Sequence, residues 1–402
     1  MSFVNRSMRA GVTVPTTCAV LVLLTSCAAA GSQNSDAGQE PPEGWRGEPY
    51  SVMELSDVPG LPSAERNLLV TYGSQGASGE RVTTSGTIAI PPGPPPEEGW
   101  PVVSWAHGTT GVSDLCAPSA DRPGGPAHDY LAMADETLDD WVDRGYVVVR
   151  ADYEGLGTPG GHPYLNGTSA AGTVSDLVTA AQRVDAGVGE EWIALGHSQG
   201  GHAVLYTADA RSDVGPSGSP PLGVISVAPG GVDVSQLVTY FEHADPDDER
   251  VVEALPFLPI MLLGAAAADP EIVPEELVSE DVEPVLEAAR TGCMADVQEA
   301  TQEISLDTVF REDVRTEDLE EYLRGQEPDT VELEVPTLFI QGTEDVLVPA
   351  EDTERLAQVL SDKAASDVEY RAYEGEDHRG VLASSFDDVV DFADRLFEER
   401  DS

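Results

Sequence analysis

The chain has 402 residues, with 73 acidic side chains against 21 Lys and Arg and a formal net charge of −52. That charge excludes nucleic acid as a partner, because phosphate binding needs basic side chains to displace counterions. It equally excludes electrostatic docking on anionic lipid. With 41% hydrophobic residues there is material for a large core, and the length fits one large domain or two smaller ones. Lys363 is the only lysine. Such a composition suits solubility through hydrated carboxylates, as at high salt, or reflects Arg-favouring codon usage. The charge is expected on the outer face and on the rim of any cap, leaving a pocket uncharged.

The N-terminus carries Arg6 and Arg9 without an acid, then a short apolar run from Gly11 to Leu24. The run is too short for a spanning helix and reads as a secretory signal. It closes on Leu24, Thr25, Ser26 and Cys27, a quartet that resembles a bacterial lipobox whose cysteine is lipidated. The segments expected are a signal peptide and lipobox over 1–27 and a flexible tether over 28–48. The protein is then expected to be exported, and either anchored to the outer face of the cell membrane through Cys27 or secreted. Cys18 leaves with the signal and Cys27 takes lipid, so Cys116 and Cys293 remain as one pair in an oxidising compartment. A disulfide between them would constrain the unfolded chain by about 4 kcal/mol in the chain-entropy model.

Strands are expected over Arg66 to Tyr72, Arg81 to Ile90, Val102 to Ala106, Tyr146 to Ala151, Trp192 to Leu195, Leu222 to Ala228, Thr337 to Gln341 and Val368 to Tyr373. Helices are expected over Glu136 to Arg144, Thr173 to Ala186 and Gly201 to Ala210. The closing helix sets Phe386, Val389, Val390, Ala393, Leu396 and Phe397 on one stripe. Short apolar strands alternating with helices predict an α/β fold with a mostly parallel central sheet flanked by helices. The stretch 233–330 holds acidic helical segments without a clear strand. It reads as a helical cap inserted before the acid-bearing strand, between core parts 49–232 and 331–402. Its apolar run Val251 to Ala268 contains Glu253, Pro256 and Pro259, which argues against a membrane span.

Gly196, His197, Ser198, Gln199 and Gly200 form G-x-S-x-G. Alone the pattern is weak, with roughly 0.2 to 0.3 chance matches in a chain of this size. Here it lies between a strand and a helix, the setting of a nucleophile elbow. A serine needs a base. Of the seven histidines, His197 and His202 sit beside the serine, and His107, His128 and His162 precede it. His243 falls in the cap. His378 follows the last strand, where the chain order Ser, acid, His places the base. The orienting acid is expected at Asp345, after the preceding strand, with Glu344 as the spare and Asp377 as a solvated loop charge. The oxyanion donors are expected to be the backbone N–H of Gln199 and one from His107 to Gly111, with Thr109 first and Gly108 second.

Gly155, Gly157 and Gly160 spell G-x-G-x-x-G with Asp176 downstream, but Pro159, His162 and Pro163 prevent the helix a dinucleotide would need. No nucleotide is expected. Asp245, Asp247 and Asp248 lack the spacing of a calcium loop, and no Cys and His cluster has zinc spacing. No metal and no cofactor are therefore expected.

From about Trp100 to Phe397 the chain resembles the secretory lipases of the α/β-hydrolase superfamily, the Candida antarctica lipase A group. The resemblance rests on Gly196 to Gly201, on the Asp345 and His378 loops, on Asp152 to Gly155, and on Cys116, Ala117, Pro118 and Ser119. It implies an α/β-hydrolase fold, and in that family the cysteine before Ala-Pro-Ser is bonded to one in the cap. It departs at Thr109, where the family lipase has an aspartate. The function expected is an exported, monomeric serine carboxylic-ester hydrolase, a lipase on acyl esters. The alternatives are a short-chain carboxylesterase, a peptidase or acyltransferase on the same fold, and a non-catalytic lipid-binding surface lipoprotein.

Overall fold

The structure is a computed structural model. It describes residues 44–400 apart from 210–219, 244, 246–248, 303, 306–308 and 312–313. The signal segment, Cys18, Cys27, most of the tether, and Asp247 and Asp248 lie outside the described residues.

The strands are β1 (Pro49–Leu55), β2 (Arg66–Gln75), β3 (Arg81–Ile90), β4 (Trp100–Ala106), β5 (Val147–Ala151), β6 (Val188–His197), β7 (Val224–Val227), β8 (Thr337–Gly342) and β9 (Val368–Tyr373). They form one sheet in the order β1-β2-β3-β5-β4-β6-β7-β8-β9. The first three strands and the β3–β5 pair are antiparallel; from β5 onward every pairing is parallel. This is the α/β-hydrolase arrangement expected. β3 and β9 match their expected bounds. β1 was not expected: its central residues are exposed on both faces, so it carries no apolar alternation to read.

The helices of the sheet layers are α1 (His128–Asp143), α2 (Gly167–Val184) and α3 (Gln199–Thr207), with a later set after the cap. The cap holds α4 (Leu237–His243), α5 (Glu249–Ala254), α6 (Phe257–Ala268), α7 (Pro274–Leu277), α8 (Glu283–Thr291), α9 (Met294–Thr301) and α10 (Glu317–Arg324). The chain then returns through α11 (Ala350–Ser361), α12 (Gly380–Ser384) and α13 (Phe386–Arg400).

Alternation along the parallel strands divides the core. Val102, Val149, Ala194 and Phe339 pack with α2, α3 and α11 on one face. Val103, Val148, Ile193 and Leu338 pack with α1 and α13 on the other. Both faces are covered, so these strands read as continuous apolar runs. The cap has a third core of its own, in which Leu258, Ile260, Leu262 and Ala265 of α6 are buried. The run Arg250–Ala268 is apolar and long enough to cross a membrane by composition, yet it breaks between α5 and α6 and packs within this core.

The folded unit starts earlier than the expected boundary at 49. Arg46 is buried and pairs with Asp176 of α2 at 3.0 Å, and the Gly47 amide donates to the Gly73 carbonyl. The 44–48 stretch is polar and Gly-rich, which hid this packing from a composition reading.

Candidate active site

Parallel register brings the ends of five strands to one edge. Ala106 aligns with Gly196, His197 with Val227, and Gly342 with Tyr373. The loops that follow these ends carry Thr109, Ser198, Asp345 and His378. Sites on open α/β sheets form at this carboxyl edge.

Ser198 stands between β6 and α3 with φ 57° and ψ −115°. This is a sparsely populated conformation for a non-glycine residue. Two glycines permit it: a β-carbon at Gly196 would lie 2.1 Å from the Gly200 carbonyl oxygen, and one at Gly200 would lie 1.8 Å from that of Ala106. The Ser198 amide donates to the Val227 carbonyl, and its own carbonyl accepts from Gly230. The turn is fixed, and the side chain faces a cleft.

Asp345 is buried and its carboxylate is fully occupied. Oδ1 accepts from the Leu347 and Val348 amides at 3.0 and 2.8 Å. Oδ2 accepts from Gln341 Nε2 at 2.8 Å and from His378 Nδ1 at 2.7 Å. The imidazole is thereby held with its proton on Nδ1 and Nε2 turned outward as the acceptor. Ser198 and His378 line the same cleft, although no hydrogen bond joins them among the described residues. Such contacts commonly tighten only once substrate is bound.

The other sequence candidates fall elsewhere. Asp377 caps its own turn, accepting from the Arg379 and Gly380 amides, which hold its carboxyl below the usual range. Glu344 lines the cleft and makes no hydrogen bond to His378 among the described residues. His202 bonds the Gln326 carbonyl, and His243 the Thr239 carbonyl.

The loop after β4 runs from the strand end at Ala106 into the cleft. The Thr109 N–H has no partner among the described residues, and Thr109 lines the cleft with Ser198. The Gln199 N–H is one of the unpaired first-turn amides of α3. Gly108, the second choice from sequence, is engaged otherwise: its backbone hydrogen-bonds the Tyr130 phenol, whose oxygen would lie 1.8 Å from a β-carbon at Gly108.

The cleft has two lobes of about 440 and 470 Å³ that meet at Ser198, His378, Phe257, Val346 and Leu347. The larger is lined by Leu165, Val232, Val234, Met261 and Val348, with Asp233, Arg250 and Asp352 among the remaining residues. The smaller is lined by Asp129, Glu253, Glu344, Asp377 and Arg379. The expectation of an uncharged pocket is therefore corrected: charged residues line both lobes, because the cleft is bounded by the cap and by the first turn of α1, where acidic residues lie.

Cys116 and Cys293 form the expected disulfide, with Cα atoms 5.6 Å apart. It joins the segment after the Thr109 loop to the start of α9.

Sequence reasoning missed the residues that support this site. Gln341, next to last in strand β8, hands its amide to Asp345, while Thr353 donates to its Oε1. A lone polar residue at the carboxyl end of a buried strand was the signal. Tyr130, His162, Tyr164 and His197 left no such mark, because their roles depend on loops meeting in space.

A model of the family described as serine aminopeptidase, S33, matches residues 127–381. No curated protein sequence matches the chain. Among solved structures, a rice cell wall degrading esterase, LipA, from Xanthomonas oryzae superposes with a TM-score of 0.65 at 18% identity, covering 88% of this chain and 99% of its own. Candida antarctica lipase A in its closed state gives 0.71 at 15% identity, over 88% and 83%. A hydrolase from Legionella pneumophila, described as putative, gives 0.65 at 17%, over 87% and 98%. These likenesses show the α/β-hydrolase fold. Since the family model spans more than half of the chain and takes in Ser198, Asp345 and His378, the chain belongs to the serine aminopeptidase S33 family of α/β-hydrolases.

Proposed function

We propose that the protein is a serine carboxylic-ester hydrolase acting on acyl esters, a lipase. The observation that carries this reading is the 2.7 Å Asp345–His378 hydrogen bond beside an elbow serine in a shared cleft. Ser198 Oγ attacks the ester carbonyl carbon while His378 Nε2 takes its proton. The tetrahedral oxyanion receives the N–H groups of Gln199 and Thr109, each worth about 3 kcal/mol at the transition state. The carbon–oxygen bond to the alcohol breaks as His378 returns the proton to it. Water, deprotonated by the same nitrogen, then releases the acyl group as a carboxylic acid and restores Ser198. The apolar wall of the larger lobe suits the acyl chain, which leaves the smaller lobe for the alcohol.

The esterase and lipase named among the structural neighbours support this choice of substrate class. A fluorophosphonate probe tests it: wild type is labelled and Ser198→Ala is not. Equal labelling of both ends the reading. A chain-length series of esters then separates a lipase from a short-chain esterase.

A second reading has its own support. The four carboxylates of the smaller lobe suit a substrate ammonium group, as an aminopeptidase needs, and the family bears that name. Turnover of aminoacyl anilides above that of matched esters would favour it.

The N-terminal features support export, with lipidation at Cys27 anchoring a monomer to the membrane. Incorporation of labelled fatty acid that is lost in Cys27→Ala tests the anchor.

A further inference from the structure

The glycine-rich loop between β5 and α2 has an unusual geometry. Gly155, Gly157 and Gly160 have φ of 73°, 68° and 125°, and Tyr153 and Leu165 have φ of 68° and 58°. The loop is wound tightly enough to turn three side chains inward, so Tyr153, His162 and Tyr164 are all buried.

Each of these reaches the oxyanion side of the site. The Tyr153 hydroxyl donates to the His107 carbonyl at 2.8 Å, and its ring stacks on His162 at 5.8 Å. His162 Nδ1–H donates to the Glu154 carbonyl, which leaves Nε2 to accept from Gln199 Nε2 at 2.8 Å. Tyr164 Oη lies 2.7 Å from Thr109 Oγ1, and Thr109 is its sole hydrogen-bond partner among the described residues. The two residues whose amides face the oxyanion are thus gripped, through their side chains, by one loop.

The back of the loop is set by the cap. A β-carbon at Gly264 of α6 would lie 2.5 Å from Tyr164 Cβ, and one at Gly161 would lie 2.8 Å from Ala267 Cβ. The cap helix therefore packs directly against the backbone that carries the Tyr164 ring.

We infer that Tyr164 is a positioning residue that fixes Thr109 in oxyanion register and couples that register to the seat of cap helix α6. This inference rests on the ester-hydrolase reading above. The mechanism is local: the hydrogen bond limits rotation of Thr109 and keeps its N–H aimed at the developing oxyanion. A misaligned donor loses transition-state stabilisation without changing how the ground-state ester binds.

The test is a double-mutant cycle of Tyr164→Phe and Thr109→Val, read as kcat and KM on a soluble ester. A trifluoromethyl ketone serves as the tetrahedral probe. Tyr164→Phe keeps the ring that packs on α6, so its fold is preserved. It is expected to lower kcat about tenfold, the worth of one neutral hydrogen bond, and to weaken the ketone by the same factor. KM should hold within about twofold. In the Thr109→Val background the same change should cost nothing further. Gly264→Ala, which pushes α6 off the loop, should lower kcat in wild type and be silent in Thr109→Val. Should Thr109→Val not fold, Thr109→Ala completes the cycle. An unchanged kcat in Tyr164→Phe, or a full loss that persists without the Thr109 hydroxyl, overturns the inference. If wild type takes no fluorophosphonate and turns over no ester, the ester-hydrolase reading fails instead.

Discussion

His197 Nε2 hydrogen-bonds the main-chain carbonyl of His378 at 2.7 Å, so the residue before the elbow serine holds the backbone of the base. The direction of the bond sets the rest of the chain. With Nε2 donating, Nδ1 must accept, and it does so from the Tyr130 hydroxyl at 2.8 Å. Tyr130 in turn takes a backbone hydrogen bond from Gly108, and the Arg379 guanidinium lies 5.3 Å over its ring. Burial holds the His197 imidazole well below its ordinary value, hence neutral, as this polarity requires.

Tyr130→Phe removes the centre of that chain and leaves two buried groups, His197 Nδ1 and the Gly108 amide, without partners. Each such loss costs about 1–3 kcal/mol. Urea unfolding should show a drop of that order, with a fall in kcat because the base loop and the loop after β4 lose their tie. An unchanged unfolding midpoint would contradict the assigned polarity.

Asp345→Asn keeps the shape of the acid but presents an amide to His378 Nδ1. The imidazole then favours the wrong tautomer, and kcat should fall by about 10³ to 10⁴, the scale known for an orienting acid in a serine triad. Gln341→Leu should fall far less, about tenfold, since it removes one of four donors to the carboxylate and leaves the Asp345–His378 bond in place. Steady-state kinetics on one ester separates the two. Equal losses would mean that Gln341, and not the bond to His378, fixes the acid.

What the sequence disclosed about this site follows from chain-local geometry. Ser198, Asp345 and His378 each sit next to a strand end, and strands of continuous Val, Ile and Leu are easy to place. The elbow glycines were legible for the same reason, since their neighbours in space are their neighbours in sequence. Tyr164 and Tyr130 were not, because each acts on a residue more than fifty positions away. β1 escaped because an exposed edge strand needs no apolar face. The acidic lining of the smaller lobe escaped because nothing local distinguishes Glu253 or Asp129 from the many carboxylates on the surface.

The disulfide gives a prediction that separates stability from chemistry. Cys116–Cys293 ties the segment after the Thr109 loop to α9, beside a hydrogen bond from the Met294 amide to the Thr110 carbonyl. Replacing both cysteines by serine should lower unfolding stability by about 2–5 kcal/mol. Thermal unfolding of the double variant checks this. Because Tyr164 still holds Thr109, kcat measured well below the new midpoint should change little. A large loss of kcat at full folding would mean that the disulfide also sets the oxyanion loop.

The buried histidines give a pH dependence whose sign can be worked out. Burial lowers His107, His162 and His202 to about 4, from an ordinary value of 6.5, and holds His197 well below that ordinary value too. Between about pH 6.5 and 4 the unfolded chain therefore binds these protons and the folded chain does not, so stability falls as pH falls. Each group contributes up to about 1.4 kcal/mol per pH unit within that window. Asp152, Asp176 and Glu154 act in the opposite sense, since burial raises their carboxyls and the folded state takes up their protons first. His128, raised by its hydrogen bond to Asp121, opposes the four buried histidines in the same way. Net stability should fall as pH falls from about 6.5, by less than the four buried histidines alone would give. His202→Gln should flatten that drop by one proton, because it removes a group whose Nε2 bonds only the Gln326 carbonyl among the described residues. Unfolding free energies at pH 7.5, 6.5 and 5.5 measure both slopes. A wild-type stability that holds constant down to pH 5 would show that these imidazoles are not carried neutral in the fold.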